Sequence, residues 1–134
     1  MGSIQKTLKV LIVEDDPAAL YSIETILRRK YPDVVFYPAV DGKTGLQCFK
    51  EHLPDIVITD VIMPSMNGCQ LAREIRQMKA DTKLIMLTGL SKMSDFFESL
   101  LEGITIDCQV AKPIDLLCLL AAIDQCIAEI GIHE

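Results

Sequence analysis

Short apolar runs alternate along the chain with longer stretches in which apolar positions recur every three or four residues. Leu8 to Val13 is apolar on both faces, with Lys9 near its start, and reads as a buried strand. Glu14-Asp15-Asp16-Pro17 ends it and opens a helix, because Asp caps and Pro suits a first turn. Leu20, Ile23, Leu27 and Tyr31 follow at helical spacing until Pro32-Asp33 stops them. Val34 to Tyr37 reads as a second strand, and Asp41-Gly42 opens a second helix with Gly45, Leu46 and Phe49 inward. Ile56 to Thr59 is a third strand, buried and β-branched. Gln70 to Lys79 is a third helix burying Leu71, Ile75 and Met78, and Leu84 to Leu87 a fourth strand. Ser91 to Glu102 is predicted helical, with Met93, Phe96, Phe97, Leu100 and Leu101 as its apolar side. A short strand over Cys108 to Ala111 precedes a last helix from Pro113 to about Ile130, striped at 116, 120, 123, 127 and 130.

Strand and helix therefore alternate five times, which predicts an α/β domain: a parallel sheet with helices on both faces. Residues 8–131 read as one domain without linker, low-complexity segment or internal repeat, and residues 1–7 as a disordered or tag-derived start. With 134 residues, half of them apolar, the chain can bury a real core. The net charge of -6 excludes a stand-alone nucleic-acid or anionic-membrane binder, since both need a basic face. No apolar run approaches a membrane span, and no signal peptide is read. Cysteines 48, 69, 108, 118 and 126 are odd in number and lack metal or redox spacing, so they read as reduced, mostly core thiols of a cytoplasmic protein.

In such sheets chemistry gathers at the carboxyl ends of the strands. The first strand is followed by Glu14, Asp15 and Asp16, the third by Asp60, the fourth by Thr88 and Gly89, the fifth by Lys112 and Pro113. Carboxylates that close repel one another unless a cation sits among them, and oxygen ligands suit Mg2+. Lys112 adds a fixed positive charge and Thr88 a hydroxyl. The set suits a phosphoryl group, with one carboxylate as nucleophile. Singly, each residue has a plainer reading: a helix cap, a strand terminator, a surface lysine, a loop hydroxyl. Their convergence favours the chemical one. His52 and His133 read as exposed and idle.

"LIVEDDP", "PDIVITDVIMPSMNG", "LIMLTG" and "AKP", in that order over residues 8 to about 130, resemble the receiver domain of a two-component response regulator. The resemblance implies a flavodoxin-like (βα)5 doubly wound sheet of strand order 2-1-3-4-5. It implies Asp60 as phospho-acceptor, Glu14 and Asp15 as the Mg2+-holding pair, and the backbone carbonyl of Ile62 as a further ligand. Asp16 leaves the register of the acidic pair open by one. Thr88 matches the switch hydroxyl and Lys112 the phosphate-pairing lysine, with Lys112-Pro113 often cis in the family. A histidine kinase or histidine phosphotransfer protein would donate the phosphoryl group. Such a domain is not an enzyme on a separate substrate; it catalyses only its own phosphotransfer and dephosphorylation.

The chain also departs from that family. Gln109 stands where many receivers carry a switch aromatic, and Ile114 follows Lys112-Pro113 where Phe is common. That predicts a readout without the hydroxyl–aromatic switch, through the fourth predicted helix and its following loop. Ile62 and Leu90, bulky and apolar two residues past Asp60 and Thr88, predict a slowly hydrolysed phosphoryl group. Ile114, Leu117, Cys118 and Ala121 form a second apolar row on the last helix, so a homodimer or effector contact is expected at the fourth and fifth predicted helices. Two other classes remain. A degenerate receiver would serve only as a binding or dimerisation scaffold. An aspartyl phosphatase would need an acid/base Asp where this chain has Ile62.

Overall fold

The computed structural model describes residues 7–89, 99 and 101–131. Strand β1 (Lys9–Val13) leads into α1 (Pro17–Lys30), β2 (Val35–Ala39), α2 (Gly42–His52), β3 (Ile56–Asp60), α3 (Gly68–Met78), β4 (Lys83–Thr88), β5 (Cys108–Ala111) and a C-terminal helix (Leu116–Gly131). All pairings are parallel, in the order β2-β1-β3-β4-β5, the doubly wound flavodoxin-like sheet. The predicted fourth helix over 91–102 falls almost wholly outside the described residues, as do Leu90, His133 and residues 1–6.

Strand alternation sorts the core into two layers. Val10, Ile12, Ile56, Ile58 and Ile85 face α1 and the C-terminal helix, with Leu27 and Ile123 packed on them. Leu11, Val13, Val57, Leu84 and Met86 face α2 and α3, against Phe49, Leu71 and Ile75. Because both faces of β3 are covered, its five residues are all buried, the last of them Asp60.

Local chemistry explains where the helices start. Asp16 caps α1, its carboxylate accepting the Ala18 N–H at 3.0 Å, and Asp41 caps α2. Asn67 and Gln70 form a capping box on α3. The third helix thus begins at Gly68 rather than Gln70: the Asn-Gly pair that reads as a loop is a helix entrance. Met78, expected inside, is 39% exposed on the last turn of that helix. The second strand runs later than expected, through Pro38 to Ala39, because an edge strand tolerates proline. Asp115 accepts the Leu117 N–H at 2.9 Å, so the last helix starts at Leu116 rather than Pro113. Its buried face is Leu119, Ala122, Ile123 and Cys126, rotated from the expected stripe; Leu116 is exposed, and Leu120, Ile127 and Ile130 only flank the core. His52 is not idle: its ring stacks on Tyr37 with centroids 4.2 Å apart, and its carbonyl accepts from Lys9 Nζ.

The passage from β3 to α3 is the tightest in the molecule. The Gly68 N–H donates to the Val61 carbonyl at 2.8 Å, closing the loop back onto the strand end. A Cβ at Gly68 would lie 2.0 Å from the backbone oxygen of Asp60, so no side chain fits. Gly68→Ala is therefore expected to lose about 3 kcal/mol or more of stability, at the upper end of overpacking costs because the obstacle is backbone. Urea unfolding followed by circular dichroism measures it.

Candidate functional site

The parallel topology brings the ends of β1, β3, β4 and β5 to one pole of the sheet. Asp60 ends the central strand and is only 2% exposed. β1 lies beside it on one side and delivers Glu14, 1% exposed, immediately after Val13. Lys112, just past β5, reaches across β4: its Nζ lies 2.5 Å from Asp60 Oδ1 and 3.1 Å from Glu14 Oε1. The second Glu14 oxygen accepts the Asp16 backbone N–H at 3.0 Å. Asp15 is exposed, yet one oxygen from each of Glu14, Asp15 and Asp60 falls within 4.8 Å of the others.

These charges are mutually dependent. Burial is the largest force on Asp60, the Glu14 carboxylate adds to it, and Lys112 opposes both; the Asp60 carboxyl is pushed up to about 7. Burial also opposes the Glu14 charge, but hydrogen bonds with Asp60, the Asp16 N–H and Lys112 outweigh it and hold Glu14 below the usual carboxylate range. Burial likewise works against the Lys112 charge, and its two carboxylate partners overcome it, raising the ammonium above its ordinary value. Asp60 Oδ2 is buried and accepts no hydrogen bond from the described residues. Three clustered carboxylates, one bearing an unsatisfied buried oxygen, fit a hard divalent cation such as Mg2+.

A pocket of about 290 Å³ opens over this cluster, lined by Asp15, Asp60, Ile62, Leu87, Gly89 and Lys112. Ile62 stands at its mouth, 53% exposed. Thr88 ends β4 beside the pocket but is buried, and its carbonyl accepts the Lys112 N–H at 2.8 Å. The structure thus gathers Asp60, Glu14, Asp15 and Lys112, with Ile62 on the rim and Thr88 behind it. The Asp16 carboxylate serves the α1 cap instead. Gln109 is exposed on β5, and the Lys112-Pro113 bond is cis. A larger cleft of about 710 Å³ lies at the other pole, near Leu8, Asp55 and Ile130. Its lysines pair with its own aspartates, whereas the smaller pocket gathers three carboxylates around one lysine.

One residue near the site escaped the sequence reading. Thr59 is wholly buried, and its hydroxyl donates to the Asp60 carbonyl at 3.0 Å. The available signal was a lone hydroxyl in an otherwise apolar strand.

Comparison with known proteins bears on this constellation. Residues 10–124 match the family model for the response regulator receiver domain. The chain is 36% identical over 107 residues to a probable transcriptional regulator, ycf27, of Guillardia theta, covering 78% of this chain and 39% of that protein. It is 32% identical over 95 residues to the chemotaxis protein CheY of Bacillus subtilis, covering 71% of this chain and 78% of that one. A solved receiver domain protein from Clostridium thermocellum superposes with a TM-score of 0.81 at 26% identity, over 95% of this chain and 99% of that one. The chain spans about two fifths of the length of the first curated relatives it matches.

The raised Asp60 pKa has a consequence for stability. Below about pH 3 Asp60 is protonated in folded and unfolded chains alike, so its burial costs little. As the pH rises toward 7 the unfolded chain releases the proton first, and stability is lost. In metal-free buffer the stability of Asp60→Asn relative to the parent should be lowest near about pH 3 and rise as the pH climbs through 7. Denaturant midpoints across that range test it.

Proposed function

Because this chain belongs to the response regulator receiver domain family, we propose that it is a phospho-accepting signalling module whose acceptor is Asp60. The observation that carries the reading is a buried carboxylate on a rigid strand end, ion-paired to Lys112, with two further carboxylates in reach. The donor is a phosphohistidine on a histidine kinase or histidine phosphotransfer protein, and the setting is the cytoplasm. An Asp60 oxygen forms a bond to phosphorus as the phosphorus–nitrogen bond breaks. The released electron pair stays on the imidazole nitrogen, which takes a proton from solvent, and Asp60 becomes an acyl phosphate.

Glu14, Asp15, Asp60 and the Ile62 carbonyl would hold Mg2+, which supplies charge neutralisation at the phosphoryl oxygens. Lys112 holds a positive charge beside the acceptor and orients it. Thr88, at the end of the neighbouring strand, is the hydroxyl that responds to the added oxygens. The receiver domain spans residues 8–131. Ile62 occupies the position where an aspartyl phosphatase needs its acid/base, and an apolar side chain transfers no proton.

The readout uses partner binding, biased by differential contacts in two states. Gln109 in place of an aromatic makes a swinging ring unavailable as the signal. On the C-terminal helix Leu117 is 76% exposed, and Leu116, Cys118 and Ala121 are exposed beside it. That row is the proposed contact for a second copy or an effector.

Intact-mass spectrometry after incubation with Mg2+ and acetyl phosphate should show one added phosphoryl group. Asp60→Asn and chelation of the metal should each abolish it. No modification under any donor favours the scaffold reading instead. With Ile62 over the mouth of the pocket, the phosphoryl group should outlast seconds after donor removal, and Ile62→Asn should shorten its lifetime; hydrolysis within seconds in the parent protein would refute the shielding role.

A further inference from the structure

Thr59 precedes the acceptor on the central strand, and every other strand residue before Asp60 is apolar. A hydroxyl at 0% exposure is costly unless it is bonded, and this one donates at 3.0 Å to the carbonyl of the very next residue. That carbonyl sits at a weak point of the sheet. The last β1–β3 pair is Val13 with Thr59, so Asp60 is one residue beyond β1 and pairs only with Leu87 of β4. On the side where the ladder has ended lie Glu14 and Asp15. The same carbonyl faces Gly68, whose missing side chain leaves it room. The N–H of the same peptide plane belongs to Val61 and is held by the Leu87 carbonyl, and the Val61 carbonyl is held by the Gly68 N–H, so the Thr59 hydroxyl secures the plane's carbonyl end.

We infer that Thr59 is a positioning residue for phosphoryl acceptance: its hydroxyl fixes the peptide plane between Asp60 and Val61, and so aims both the Asp60 carboxylate and the backbone leading to Ile62. Rotation of that plane would turn the acceptor relative to Lys112 and Glu14, whose own places are set by other strands. The inference rests on the receiver reading of the site. A plainer role, β-branched packing alone, predicts that the oxygen is dispensable and the shape is not.

Thr59→Val keeps the shape and removes the donor; Thr59→Ser keeps the donor and removes a methyl. Both are compared with the parent for cooperative melting, for the rate of mass-detected phosphorylation by acetyl phosphate at saturating Mg2+, and for Mg2+ affinity from amide NMR shifts. Misplacing reacting groups by about 1 Å costs on the order of 100-fold. The expected result is a folded Thr59→Val slowed roughly ten-fold or more, with Thr59→Ser restored to near the parent rate. A Thr59→Val as fast as the parent, or a Thr59→Ser as slow as Thr59→Val, would overturn the inference. If Thr59→Val does not fold, Thr59→Cys, a poor donor of similar size, takes its place with the same outcomes. If the parent itself takes no phosphoryl group, it is the receiver reading that fails. The Mg2+ titration then decides for Thr59: affinity weakened about ten-fold in Thr59→Val supports positioning, and equal affinity overturns it.

Discussion

The ion pair between Asp60 and Lys112 is the constraint around which the site is organised. A carboxylate at the end of a strand covered on both faces has little access to water, and an isolated charge there would neutralise itself. Lys112 meets the Asp60 charge without coming from its neighbouring strand. It stands past β5, with β4 between, and only a long, flexible stem spans that distance. Glu14 shares the ammonium, so removing Lys112 would leave two buried carboxylates facing one another without a cation. Burial raises the Asp60 pKa most, and one cation against two buried carboxylates is a deficit of positive charge that raises it further. A second cation among the carboxylates would remove the deficit.

The backbone must hold that charge still, and it does so by closing the β3–α3 loop on itself. Gly68 returns the chain to Val61, and the first turn of α3 starts against the Asp60 carbonyl. The loop is also pressed from α2, since a Cβ at Gly42 would lie 2.5 Å from the Met66 carbonyl. Two helix starts thus clamp one loop, and that loop carries Ile62 over the pocket. Small residues at those two points permit the approach; cap residues Asp41 and Asn67 satisfy the helix ends so brought together.

Strong periodicity made the fold legible. Both-face apolar runs identified the central strands β1, β3 and β4, because burial on two sides leaves no polar alternation to confuse the reading, while the partly exposed edge strands β2 and β5 followed from the alternation with helices. Errors fell where capping or register decided the outcome. Gly68 read as loop because glycine usually marks turns, while here it is required by a backbone contact made across the loop. The expected stripe on the C-terminal helix meets the buried face at Ile123 and flanks it at Leu120, Ile127 and Ile130 but misses Leu119, Ala122 and Cys126, because that helix is apolar almost all round and periodicity loses its contrast. Among the site residues, Glu14, Asp15, Asp60 and Lys112 were legible from strand ends alone, and the structure brings them together. Pro17 in its usual place already favours Glu14-Asp15 over a register including Asp16; in the structure the Asp16 carboxylate accepts the Ala18 N–H, and the clustered carboxylates are those of Glu14, Asp15 and Asp60. Thr59 was invisible because a threonine in a strand is unremarkable until its hydroxyl has a named partner.

In the receiver reading, these features set how a signal leaves the site. An acyl phosphate at Asp60 replaces one carboxylate charge by a larger phosphoryl charge, and Lys112 is drawn toward it and away from Glu14. The ammonium moves on its flexible stem while the Lys112 backbone N–H stays tied to the Thr88 carbonyl; three residues on, Asp115 caps the helix that begins with the exposed Leu116 and Leu117. The path from charge to apolar surface is therefore one short segment, Lys112 to Leu117. In that reading, a receiver lacking the switch aromatic would begin its signal without a swinging ring, by redistribution of one ammonium between two carboxylates at the residue that opens this segment.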